Sequence, residues 1–228
     1  FLMFGSFSYR RAAGEAAQIL LDNEVTAYPL NPVCLANRAG IKILTYPQFA
    51  SLADLPEETL LSLSGDGFST CVDGQYLIVY NRTVRPRNRR RWTLLHEYCH
   101  IYLGHVPEDG ALLPDYPNDR PMEAAADELT GCLIAPLPLA FLCRIDTEEE
   151  MARCFGLSEQ AAANLFHTYR RYCCTDLSPA LGYGKALEAL CPFAIEYAWR
   201  KEKEARRQHY RLVDIEAGAG EVLAARRS

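Results

Sequence analysis

The sequence has no apolar run long enough to span a bilayer, so no membrane-spanning segment is expected. Its opening, FLMFGSFSYRR, holds a four-residue apolar start without a cleavage-site pattern and does not read as a signal peptide. The chain also lacks any CxxC pair. Its nine cysteines, at positions 34, 71, 99, 132, 143, 154, 173, 174 and 191, are scattered among mostly apolar neighbours. That removes the usual signature of a cysteine-built zinc site. Small core residues in a reducing cytoplasm are the simplest reading. An excess of positive charge is missing too. The formal net charge of -5 argues against a general nucleic-acid binder, although local basic patches remain open.

What the chain does have is apolar material. Hydrophobic residues make up 49% of its 228 positions and charged ones 23%, enough for one full domain or a core with a helical appendage. Helical spacing runs from Tyr9 to Asn23, and a shorter helix follows Pro32 and stops at Gly40. IKILTY (41–46) alternates like a strand. FSTCVDGQYLIVYN then sets two β-prone runs around Asp73-Gly74, a dipeptide favoured in tight hairpins. The spacing of Trp92, Leu95, Cys99 and Tyr102 predicts a helix with a buried stripe that ends near Gly104. DRPMEAAADELTGCLIAP predicts another, capped by Asp119, with Pro121 in its first turn and Pro136 as its stop. Beyond Pro136 the pattern is helical throughout, with Thr147 and Glu150 at capping-box spacing. The expected fold is α+β: a small sheet of three or slightly more strands, packed on two helices and followed by a helical region. The expected divisions are a core over 1–136, helices over 137–190 packed on or capping it, and a charged C-terminal helix or tail over 191–228.

The chemistry concentrates in WTLLHEYCHIYLGH (92–105). Residues four apart share a helix face, so His96 and His100 can aim ring nitrogens at one ion. Glu97 lies about 100° around the helix from His96. It flanks that ion and is placed to take a proton from a water made acidic there. HExxH arises by chance in on the order of one per cent of chains this long, so support has to come from elsewhere. It comes from EAAAD (123–127), which puts Glu123 and Asp127 on one face of the next helix. Glu123 can be a third ligand, leaving a fourth position open for water. Asp127 can accept the other ring N–H of a ligand histidine. The extended metzincin pattern is out of step, since Leu103 and Val106 stand where it needs Gly and His. A deformylase-like cysteine ligand lacks its context, because Cys71 sits in STCVDG.

With these residues in place, the chain resembles the ImmA/IrrE family of metallopeptidases from about Tyr9 to Pro136, and more loosely up to Tyr172. NPVCLANRAGIKI, DGQYLIVYN, RRRWTLLHEYCHIYLGH and EAAADELTGCLIAP stand in the family's order. The resemblance implies zinc bound by His96, His100 and Glu123, with Glu97 as general base. The chain departs at Asp127 for a usual Asn, Leu129 for Phe and Ala135 for Met, and none of these removes a ligand. The resemblance further implies a cytoplasmic, site-specific protease acting on helix-turn-helix repressors encoded nearby, often on mobile elements or in stress regulons.

Other candidates are weaker. His105 is either a substrate contact or an exposed helix-end residue. His167 is either an oxyanion stabiliser or a surface histidine. Tyr76, Ile78 and Tyr80 lie on the Gln75–Asn81 strand, which could bind an extended substrate if its edge is free. The six arginines from Arg82 to Arg91 read as a solvated loop with one or two anchors to acidic partners rather than a phosphate patch. MARCFGLSEQAAANLF has helix-turn-helix spacing, but Glu159 and Gln160 would begin the recognition helix, and an acidic start repels phosphate. The expected activity is a zinc endopeptidase. The alternative is a catalytically silent, zinc-stabilised module that docks a repressor or DNA.

Overall fold

The computed structural model describes residues 7–108, 112–113, 120–173 and 183–225. Asp119, expected as a cap, lies outside them. Helix α1 (Phe7–Asp22) buries Ala12, Ala13, Ala16 and Ala17, small side chains that let it lie close to a later helix, with Ile19 and Leu20. Helix α2 (Pro32–Arg38) starts where the Asn31 side chain accepts from the Val33 amide at 3.0 Å, with proline in the first turn. It leads into strand β1 (Lys42–Thr45). The Leu-rich stretch that follows carries two short helices, α3 (Tyr46–Ala53) and α4 (Glu57–Leu63).

Strands β2 (Gly67–Val72) and β3 (Gln75–Tyr80) form the expected hairpin, with Asp73 and Gly74 both at positive φ, 50° and 74°. The sheet order is β1-β3-β2: β3 is parallel to β1 and antiparallel to β2. Alternation along β3 sorts its side chains. Leu77 and Val79 join Tyr46, Phe49, Leu60 and Phe68 in a small core under α3 and α4. Tyr76, Ile78 and Tyr80 face the main core on the other side.

This corrects one expectation. β3 is the middle strand, hydrogen-bonded on both sides, so it has no edge to offer a substrate. Ile78 is fully buried, and Tyr76 and Tyr80 pack against the main core.

On that second face lie α5 (Arg87–Tyr102) and, against it, α6 (Arg120–Ile134). The apolar side chains that α5 buries are Leu94, Leu95, Tyr98 and Cys99, beside the buried Thr93 and His100. Trp92 is half-buried and Tyr102 is 40% exposed, so the expected stripe holds only at its centre, where the helix crosses α6. The apolar stretch Arg120–Leu142 is a core element, buried over 72% of its most apolar window. Leu129 and Leu133 are sealed within it, each such side chain contributing about 1.5–3 kcal/mol on burial.

Four more helices complete the described fold: α7 (Leu137–Leu142), α8 (Glu148–Phe155), α9 (Glu159–Cys173) and α10 (Gly184–Ala225). Thr147 caps α8, its hydroxyl accepting from the Glu150 amide at 3.1 Å. Met151, Phe155, Ala162 and Tyr169 of α8 and α9 belong to the main core, as do Leu187, Leu190 and Ala194 of α10. The main core thus runs across the 136/137 boundary, and α10 runs unbroken through 190/191.

Candidate metal centre

The site forms where the last two turns of α5 meet the first two of α6. His96 Nε2 and His100 Nε2 are 3.0 Å apart. Glu123, in the first turn of α6, brings one carboxylate oxygen to 3.3 Å from His96 Nε2 and the other to 3.5 Å from His100 Nε2. These three groups are the one His/Cys/Asp/Glu cluster among the described residues that could hold a metal ion. Their spacing can be tested against an ion: tetrahedral bonds of about 2.0–2.1 Å set ligand atoms roughly 3.3 Å apart. Two imidazole nitrogens and a carboxylate are also the donor set that a borderline-soft divalent ion takes. The residues fit.

Electrostatics point the same way. Burial, then the neighbouring His96 and His105, push the His100 pKa down to about 4, which leaves a neutral ring with a lone pair to give. For His96, burial opposes charge, yet Asp127, Glu97 and Glu123 together outweigh it and raise the pKa. A ring ringed by carboxylates favours a cation. Asp127 Oδ1 lies 3.1 Å from His96 Nδ1, the ring nitrogen that points away from the cluster, and its contact with that nitrogen is the largest of the influences that raise the His96 pKa.

Glu97 stands apart from the ligand cluster, as its place on the helix requires. Its Oε2 accepts from the Ser69 hydroxyl at 2.7 Å. Burial pushes the Glu97 pKa up, against the lowering effects of the Ser69 hydrogen bonds and of His96. Ser69 is opposite Ile78 in the hairpin register and so points to the α5 side of the sheet. The sequence reading missed it. The only signal available was its alternation with Phe68 and Thr70, and that does not say which face meets the active helix.

A cleft of about 380 Å³ opens over these groups. Leu63, Ser64, Asp66, Gly67 and Phe68 form one bank, Trp92, Thr93, His96, Glu97 and His100 the floor, and Glu123 the far side. Strand β2, at the edge of the sheet, runs along it. The close approach depends on Gly67, where a Cβ would come within 2.8 Å of Thr93 Cγ2 and 3.0 Å of the Val79 carbonyl oxygen.

The remaining candidates fall away from the cleft. His105 does not line it; its Nδ1 sits 3.1 Å from His100 Nδ1, on the side of that ring away from the cluster. His167 is exposed on α9, and among the described residues no part of α7 to α10 lines the cleft. Cys71 is buried and outside the cluster. Cys99 is sealed beside Thr130, its thiol pushed up to about 12 by burial, which makes it packing material rather than a ligand. Of the arginines, Arg89 pairs with Asp66 at 2.8 Å, as expected of one anchor. Arg91 instead donates to carbonyl oxygens of Leu30, Phe155 and Gly156, at 2.7, 3.2 and 2.6 Å.

Compared with known families, residues 37–167, more than half of the chain, match the IrrE N-terminal-like domain of the Peptidase_M78 family. The match spans the sheet, both helices of the candidate centre, α8 and the first part of α9. No curated protein matches the chain.

Proposed function

The chain belongs to the IrrE N-terminal-like peptidase family, and from that membership and its metal centre we propose that it is a zinc-dependent endopeptidase. One observation carries the reading: two imidazoles and a carboxylate close enough to share one small ion stand beside a second, buried carboxylate that is not among them. His96, His100 and Glu123 would hold the zinc, which when bound supplies a Lewis acid that acidifies water and polarises a carbonyl. The other steps belong to side chains. Asp127 keeps the His96 ring in place. Glu97, its carboxylate fixed by Ser69 and its pKa raised by burial, takes a proton from water and returns one to the leaving amine. An extended polypeptide can lie along β2, pairing with its main chain while side chains settle between Leu63, Phe68 and Trp92.

A protein substrate follows from the family. Our finer reading, a helix-turn-helix repressor cut at one site in the cytoplasm, rests on the resemblance in sequence. The eight described cysteines are all free thiols, which suits a reducing compartment. Replacing Glu97 with Gln tests the mechanism. Zinc content should stay at the level of the unmodified chain while peptide cleavage drops by about 10²–10⁴-fold. Undiminished cleavage by Glu97→Gln would sink the mechanism. Partner docking that survives the substitution, with no cleavage by either protein, would instead favour the silent zinc-stabilised module.

A further inference from the structure

His105 lies five residues after His100. On a continuous helix that spacing puts two side chains about 140° apart, so they should not meet. They meet because α5 ends in a Schellman turn. Gly104 takes a left-handed conformation at φ 71°, its N–H bonds to the Ile101 carbonyl at 3.0 Å, and the His105 N–H reaches back to the His100 carbonyl at 2.9 Å. Val106, the next residue, is buried and holds the reversed chain down. The two rings then stand edge to face, with centroids 5.1 Å apart and Nδ1 3.1 Å from Nδ1.

Two ring nitrogens at that distance, on the side of His100 away from the metal cluster and so with no ion to share, require one donor and one acceptor. Which is which follows from the other side of His100. Its Nε2 belongs to the His96–His100–Glu123 cluster, and a nitrogen that gives its lone pair to a metal carries no proton. A neutral His100 must therefore bear its proton on Nδ1. We infer that His105 is a positioning residue for the metal centre: its unprotonated Nδ1 accepts the His100 Nδ1–H, fixing the tautomer and rotation in which His100 can bind an ion. This rests on the metal reading above and assigns His100 an imidazole acceptor where His96 has the carboxylate of Asp127. The glycine turn is what lets a residue outside the helix do this.

The test replaces His105 with Leu, which fills the space without an acceptor, and with Asn, whose Oδ1 occupies the place of Nδ1. Zinc affinity of the intact chain is read by competition with a chromophoric chelator. His105→Leu should bind about 10–100-fold more weakly, the usual cost of losing a ligand's outer partner, and His105→Asn should recover most of that loss. In the metal-free protein, ¹⁵N NMR should find the His100 proton on Nδ1, moving toward Nε2 in His105→Leu only. Unchanged affinity in His105→Leu, or equal losses in both variants, overturns the positioning role. If the unmodified chain takes up no zinc, the metal reading falls. The NMR then decides separately, a proton on His100 Nε2 overturning the pairing as well.

Discussion

Helix α5 makes two polar junctions of opposite kinds. At its start, Arg91 lays a guanidinium against the end of α8, donating to the Phe155 and Gly156 carbonyls there and to Leu30 across the gap. A helix C-terminus carries partial negative charge and unpaired carbonyls, so this junction contains its own cation and its acceptors are satisfied. At the other end, α5 meets α6 with His96, His100, Glu123 and Asp127. Here imidazoles and carboxylates crowd together, and among the described residues no Lys or Arg pairs with them. A junction that serves only stability is complete by itself, whereas this one has the donor set to take a metal ion from outside.

The largest expected effect breaks the second junction. Glu123→Ala should weaken zinc binding by well over the roughly hundredfold that an outer partner is worth, and abolish cleavage with it. The fold itself should survive, because Glu123 is half exposed and contributes little packing. Thermal unfolding makes the contrast visible. Zinc in excess at about 100 times its Kd should stabilise the unmodified chain by about 2.7 kcal/mol, and Glu123→Ala hardly at all. Equal stabilisation of both would mean that zinc binds elsewhere.

The first junction should fail in the reverse sense. Arg91→Met leaves carbonyls at the α8 terminus without donors and should lower unfolding free energy by about 2–3 kcal/mol in urea titrations. Zinc affinity of the folded fraction should remain as before. Arg91→Lys should restore only part of the stability, since a single ammonium cannot fork to Leu30 on one side and α8 on the other. Loss of zinc in Arg91→Met would show that the two junctions are coupled along α5.

The two junctions also differ in how far they could be read in the sequence. Helical period alone put His96 and His100 on one face and Glu123 with Asp127 on another, because local geometry decides those relations. The Asp73-Gly74 turn was readable for the same reason. Arg91 was one arginine among six, and its carbonyl partners lie more than sixty residues away along the chain. The order of the sheet was hidden likewise: the parallel pairing of β1 with β3 joins residues 35 apart, such as Lys42 and Leu77, and it moves β3 to the centre. The short helices α3 and α4 left no clear period in the Leu-rich stretch. Ser69 could not be assigned until β2 was known to be the strand beside Glu97.

The smallest effect sharpens the metal junction from within. Ser69→Ala removes the hydroxyl that donates to Glu97 while leaving the ligands untouched. A hydrogen bond to a carboxylate stabilises its charged form, so losing it raises a pKa that burial has already pushed up. A general base works deprotonated, and the acid limb of the kcat/KM profile should therefore move to higher pH. The rate on the plateau should fall by roughly tenfold, less than the 10²–10⁴-fold that the proton-transferring group itself supplies. Zinc affinity should not change, because the Ser69 hydroxyl donates to Glu97, which is not one of the three ligands. A shifted limb with intact zinc binding ties Ser69 to the base. A lower plateau with an unmoved limb would mean that Ser69 matters only for holding β2 against α5.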